Sequence, residues 1–110
     1  MPYNAHNTAT EAVWAGVPLV TCTGDSMAAR VATSVLAAAG LPELAVRSLA
    51  DYEAFALSLA RAPDRLAALR AKLVAARERS ALFDLCGYCR HLEGAYVTMM
   101  QRLRMAPARQ

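Results

Sequence analysis

The stretch Asn4-Ala5-His6-Asn7-Thr8-Ala9-Thr10-Glu11 gathers the residues best suited to chemistry. It reads as a loop entering a helix, and such an entry aims unpaired backbone N–H groups at whatever lies before it. Phosphate is the natural ligand there, because the helix dipole adds about half a positive charge. His6 can donate from its imidazole, and Asn7 and Thr8 from their side chains. Glu11 lies one helical turn beyond Asn7 and Thr8, where it can accept from vicinal hydroxyls. The combination suits a nucleoside diphosphate with its ribose. The competing reading is an ordinary capped helix with a surface histidine.

Positioning these groups requires a definite order of elements. Residues 1–6 read as a loop punctuated by Pro2 and Asn4. A short helix is expected over Asn7–Trp14, with Asn7, Thr8 and Thr10 suiting cap and first-turn positions and Gly16 at the C-cap. Val17–Cys22 reads as a buried strand with Pro18 at its beginning. Thr23–Ser26 is a turn whose Asp25 or Ser26 can cap a helix faced by Met27, Val31, Val35 and Ala38 and ended by Gly40. Pro42 blocks immediate continuation. Residues 43–47 allow one helical turn and a minimal strand, Leu44-Ala45-Val46. Ser48 with Asp51 resembles a capping box opening a helix faced by Leu49, Tyr52, Phe55, Ala56 and Leu59. Pro63 suits the first position of the next helix, whose stripe is Leu66, Leu69, Leu73 and Ala76. Ala62 before it lacks a capping side chain, which weakens that start by about 1 kcal/mol. Asp84 can cap a last helix faced by Leu85, Tyr88, Leu92, Tyr96, Met99 and Leu103. The tail 104–110 is expected to fray.

This order predicts an α/β fold, helix-rich, with about two short parallel strands joined by right-handed crossovers. Two short strands make a poor sheet. The chain also begins on a loop with no strand before it, so it reads as a piece of a larger doubly wound α/β domain.

The chain has 110 residues, 56% of them hydrophobic and 19% charged, which argues against disorder. Its 25 alanines favour helices. No apolar run is long enough to span a membrane, and the start lacks a signal peptide. The three cysteines form no disulfide framework, which favours a reducing compartment and a cytoplasmic location. The net charge of +3 is uneven. Arg61, Arg65, Arg70, Lys72, Arg77 and Arg79 face only Asp64 and Glu78 over 61–79. That run reads as a solvated helix face rather than a nucleic-acid surface, since no aromatic residue is interleaved to stack on bases.

The ordered set Asn4-Ala5-His6-Asn7-Thr8, Glu11-Ala12-Val13-Trp14-Ala15-Gly16-Val17-Pro18-Leu19-Val20-Thr21, Gly24-Asp25-Ser26-Met27-Ala28-Ala29-Arg30-Val31-Ala32 and Gly40-Leu41-Pro42-Glu43-Leu44 resembles the C-terminal end of the protein O-GlcNAc transferase family. That family includes the SPINDLY-like proteins. Asp51-Tyr52-Glu53 and Ser80–Asp84 fit in order and spacing, so the resemblance runs from about residue 2 to 103. It implies a glycosyltransferase of two facing Rossmann-like domains. Such an enzyme inverts the anomeric carbon, needs no metal or cofactor, and moves N-acetylglucosamine from UDP-GlcNAc to Ser or Thr hydroxyls of proteins. By that likeness His6 and Thr8 match residues beside the donor diphosphate. Asn7 stands where the family usually has threonine. Glu11 stands where it usually has aspartate on the ribose hydroxyls. No catalytic residue is assigned. The resemblance also implies that the acceptor site, the sugar pocket, most of the uracil pocket and substrate-binding tetratricopeptide repeats lie upstream. Donor and acceptor proteins are then the partners, with no nucleic acid and no membrane. No Lys or Arg lies near the motif, so a cation, if required, is expected from the part of the protein outside these 110 residues.

Other signals are weaker. Cys86-Gly87-Tyr88-Cys89-Arg90-His91 lacks the second ligand pair of a zinc site, and Arg90 interrupts a haem-attachment motif. Its cysteines read as core or boundary thiols. Cys22 reads as a small buried hydrophobe, Trp14 as core packing, and Arg30 as a member of a surface ion pair, with a reach to phosphate as the other option. The last helix could cross to the other domain, leaving its stripe exposed here. The alternatives are the same family with GDP-fucose or UDP-glucose as donor, or a non-catalytic helical interaction module.

Overall fold

The computed structural model describes Tyr3–Met105. Its elements are α1 (Asn7–Trp14), β1 (Thr21–Cys22), α2 (Val31–Ala38), a 3-10 turn (Pro42–Leu44), β2 (Ala45–Val46), α3 (Leu49–Ala60), α4 (Pro63–Ala76) and α5 (Leu85–Met105). The strands pair in parallel, Thr21 with Ala45 and Cys22 with Val46. The expected α/β class and its two short parallel strands are therefore present. Only Thr21–Cys22 of the expected strand Val17–Cys22 is paired. Pro18 offers no ladder donor, and Leu19 and Val20 pack on the core from an irregular stretch.

Two glycines end helices as the sequence suggested. Gly16 and Gly40 have φ of 74° and 78°, which costs glycine nothing and other residues about 1–2 kcal/mol. After α1, Val17 N–H donates to Ala12 O (2.8 Å) and Gly16 N–H to Val13 O (3.1 Å). After α2, Leu41 N–H donates to Leu36 O (2.9 Å) and Gly40 N–H to Ala37 O (3.0 Å). Both pairs are Schellman closures. They reverse the chain sharply: α2 lies against β2, the strand that follows it, and α1 lies against α2 and α4.

Two expected helix starts hold. Ser48 Oγ accepts from Asp51 N–H (3.0 Å) and donates to the Asp51 carboxylate (2.6 Å). Asp84 Oδ1 accepts from Gly87 N–H at 2.8 Å. A Cβ on Gly87 would stand 2.2 Å from Asp84 Oδ2, so only glycine lets that cap close. As expected, Pro63 opens α4 behind Ala62, which gives no side-chain cap. The start of α2 differs from expectation. Neither Asp25 nor Ser26 caps it: Ser26 Oγ instead accepts from Ala29 N–H (3.2 Å) within a turn, and Arg30 precedes the first helical residue. Met27, expected on the buried face, stands in that turn and is 78% exposed.

The core is Ala9 and Val13 of α1, Ala32, Val35 and Leu36 of α2, Ala39, Leu41, Leu44 and Leu73 of α4. The alanines at 9, 32 and 39 are almost fully buried. Their size lets α1 and α2 approach closely, and Leu36, Leu41, Leu44 and Leu73 fill the remaining space. Phe55 and Leu69 pack at its edge. Trp14 is not core: it is 52% exposed. Phe83 meets its ring edge-on at 4.9 Å, and the Arg77 guanidinium lies 4.9 Å above it. Arg77 also donates to Trp14 O, placing a cation at the carbonyl end of α1.

Three residues of the basic run face the molecule itself. Arg77 serves Trp14, Arg65 lies 4.9 Å over the Phe55 ring, and Lys72 pairs with Glu43 at 2.6 Å. Burial by itself raises the Glu43 carboxyl, but hydrogen bonds from Lys72 and its own backbone, with the Lys72 charge, leave it below its ordinary value.

The last helix leaves the body. The chain measures 65 × 30 × 18 Å with a radius of gyration of 18.1 Å, against about 13 Å for a compact domain of this size. Leu85, Tyr88, Leu92, Tyr96, Met99 and Leu103 are all exposed. α5 runs to Met105, two residues into the stretch expected to fray, and 106–110 lie outside the described residues. Of the expected opening loop, residues 1–2 also lie outside them.

Leu36→Ala should lower the unfolding free energy by about 2–5 kcal/mol, read by denaturant titration. Glu43→Gln should cost less than about 1 kcal/mol at neutral pH, because both partners are half exposed. Glu43 titrates lower when folded, so its contribution is present above the unfolded carboxylate value of about 4.3. It disappears as pH falls through the folded value, and stability curves of the two proteins should converge there.

Candidate functional site

The loop before α1 is anchored by one asparagine. Asn4 is 7% exposed. Its Nδ2 donates to Ala29 O at 2.6 Å, and its N–H donates to Ala28 O at 3.0 Å. Ala28 O also faces His6 Nε2 at 3.4 Å. The Tyr3 ring stacks on the His6 ring, 4.8 Å between centroids and 14° between planes. The chain between the turn at 26–29 and α2 thus fixes where α1 can begin.

α1 is opened by backbone alone. His6 stands just before the first helical residue, and no side chain caps the helix. His6 O accepts from Ala9 N–H (3.0 Å) and Thr10 N–H (3.4 Å). Among the described residues the N–H groups of Asn7 and Thr8 find no acceptor. Asn7, Thr8 and Thr10, expected to suit caps, cap nothing: Asn7 and Thr8 are exposed and Thr10 lies in the first turn. His6 is half-buried, and Glu11 is exposed one turn further on. The four predicted residues therefore share one helix entry, with two amides free. No acidic residue occupies the first turn to oppose an anion there.

Arg30 forms no ion pair among the described residues, contrary to expectation. It follows Ala28 and Ala29, whose carbonyls hold the loop. It is also the only Lys or Arg before Arg47. Its side chain lines a surface hollow with Met27, Val31, Ser34 and Val35.

A cavity of about 230 Å³ lies along the same loop, walled by Tyr3, Asn4, Ala5, Leu19–Cys22, Ala32, Leu49 and Tyr52. None of His6, Asn7, Thr8 and Glu11 lines it. The loop separates this apolar space from the helix entry. Asn4 is the residue whose role sequence reasoning passed over. Asn4 was legible only as a loop punctuator, because its partners lie 25 positions away. Among the described residues no group of three or more His, Cys, Asp or Glu could hold a metal.

A parallel strand pair flanked by helices, with a loop that delivers free amides at a helix start, defines a Rossmann-like α/β unit. The sequence model of glycosyl transferase family 41 matches residues 2–92. A UDP-N-acetylglucosamine–peptide N-acetylglucosaminyltransferase of Caenorhabditis elegans is 41% identical over 99 residues, 90% of this chain and 9% of the relative. The probable enzyme of that name, SEC, of Arabidopsis thaliana is 42% identical over 97 residues, 87% of this chain and 10% of the relative. SPINDLY of Oryza sativa subsp. japonica, named as a probable enzyme of the same kind, is 36% identical over 101 residues, 92% of this chain and 11% of the relative. The chain belongs to glycosyl transferase family 41. It spans about a tenth of the length of these relatives.

Asn4→Ala should cost about 1–3 kcal/mol, because it removes a buried hydrogen-bond donor. Hydrogen exchange at His6–Ala9 should accelerate more than exchange in α3, since the anchor acts on the loop.

Proposed function

We propose that residues 1–103 are the C-terminal portion of the donor-binding domain of an inverting, metal-independent glycosyltransferase. The complete enzyme transfers N-acetylglucosamine from UDP-GlcNAc to Ser or Thr hydroxyls of proteins in the cytoplasm. The observation that carries this reading is the uncapped entry of α1, with the N–H groups of Asn7 and Thr8 free behind His6. The printed names of the relatives supply the donor and acceptor classes.

In this reading the free amides, His6, Asn7 and Thr8 take the donor diphosphate, and Glu11 takes the ribose hydroxyls. Negative charge grows on the departing nucleoside diphosphate in the transition state. Fixed donors at a helix N-terminus stabilise that charge without reorganisation. The sugar pocket, the acceptor site and the protein-binding repeats belong to the rest of the protein. The bare apolar stripe of α5 packs against the other half of the catalytic domain. No helix of the described residues is long and apolar enough to cross a membrane.

His6→Ala and Thr8→Ala in the complete protein should each lower turnover at least tenfold. Loss of one fixed donor in a well-formed site costs about 10²–10³. Glu11→Ala should chiefly raise the KM for donor. UDP should compete with the donor better than GDP; the reverse order would favour GDP-fucose. The 110-residue chain alone should give no turnover with UDP-GlcNAc. Full activity of the His6→Ala enzyme would remove the site assignment.

A further inference from the structure

Cys86 and Cys89, expected as core or boundary thiols, are free and exposed on α5 instead, and Cys22 is half-buried in β1. Tyr3 is also exposed, at 68%, yet its ring has a partner. It lies on the His6 ring with 4.8 Å between centroids and 14° between planes, a geometry that suits offset stacking. So exposed a side chain adds little to the core, and the effect of the contact falls on His6.

The His6 imidazole is held at two points. Ala28 O can only accept, so the Nε2 that faces it at 3.4 Å carries the proton. Tyr3 covers a face of the same ring. Rotation of a histidine ring about its Cβ–Cγ bond is otherwise soft and roughly two-fold. The Nε2 contact is long and weak as a restraint, so the stack is what makes one orientation prevail. Tyr3 is itself tethered, because the next residue is the buried anchor Asn4. With Nε2 engaged, Nδ1 is the ring nitrogen left for a ligand, and it donates to an anion when the ring is protonated.

We propose that Tyr3 is a positioning residue of the donor site, whose ring holds the His6 imidazole in the orientation that meets the donor diphosphate. The proposal rests on the assignment of His6 to that diphosphate. Tyr3 touches neither donor nor acceptor and acts through His6. Without the stack the imidazole spreads over other orientations, and the productive fraction falls by no more than the Boltzmann weight of the lost contact. For an aromatic pair that weight is about 2- to 12-fold.

The test is a double-mutant cycle in the complete protein, read as kcat and KM for UDP-GlcNAc. Tyr3→Ala should lower kcat by about 2- to 12-fold. Tyr3→Leu, which keeps the bulk and loses the ring, should match it, and Tyr3→Phe, which keeps the ring, should restore kcat. In the His6→Ala background Tyr3→Ala should have no further effect. An equal loss with and without the imidazole would overturn the proposal, because Tyr3 would then act on the fold or on the donor directly. So would an unchanged kcat in Tyr3→Ala and Tyr3→Leu beside a lowered one in His6→Ala, a result that leaves the donor-site assignment standing. Full turnover in His6→Ala would instead remove that assignment and this proposal together.

Discussion

The buried Asn4 side chain sets the geometry on which the site depends. Its amide and its backbone N–H grip two successive carbonyls, those of Ala29 and Ala28. These belong to the segment that leads into α2, so the start of α1 and the start of α2 cannot move independently. α2 in turn packs through Ala32 and Leu36 on the core that also holds Ala9 and Val13 of α1. A helix entry left without a side-chain cap would ordinarily fray. Here the loop before it is held from outside the helix, so its first amides stay ordered without being used up. An anion site needs that combination: donors held in place and still unpaired.

The other end of α1 is closed with equal care and with the opposite sign. The Schellman turn at Gly16 satisfies two of its last carbonyls, and Arg77 takes the carbonyl of Trp14. A cation at the C-terminus complements the dipole there, while no acidic residue weakens the field at the N-terminus. The α1 dipole therefore stays directed at the loop. Arg77 comes from the end of α4, so the basic run contributes to fold electrostatics more than to recognition of an outside partner.

The parts of this arrangement that were legible in the sequence are those fixed by local chemistry. Gly16 and Gly40 mark backbone turns that other residues resist, and Ser48 with Asp51 closes a box within four residues. Pro63 opens a helix at any site that tolerates its missing N–H. The parts that misled depend on partners far along the chain. Trp14 reads as core by its type, yet its ring is covered by Phe83 and Arg77 from beyond α4. Met27 fits the periodicity of α2, but Ser26 and Ala29 form a turn that delays the helix until Val31. His6, Asn7 and Thr8 are consecutive and Glu11 lies within one turn of them, so their sharing one helix entry was legible in the sequence. The anchoring role of Asn4 was not legible, since only the tertiary fold joins positions 4 and 29.

The same contrast between local closure and distant supply separates the two ends of the molecule. The N-terminal part closes on itself: its helices are stopped, its strands are paired and its alanines are buried. α5 does the reverse, exposing Leu85, Tyr88, Leu92, Tyr96, Met99 and Leu103 along its length. Water-facing surface of that size and apolarity is costly, whereas the single buried residue of α5 is Gly87 at its base. Helical propensity can hold such a segment in shape, but only burial against another surface repays the exposed area. The body of the chain therefore closes on its own core, and α5 carries the apolar area that this core leaves unburied.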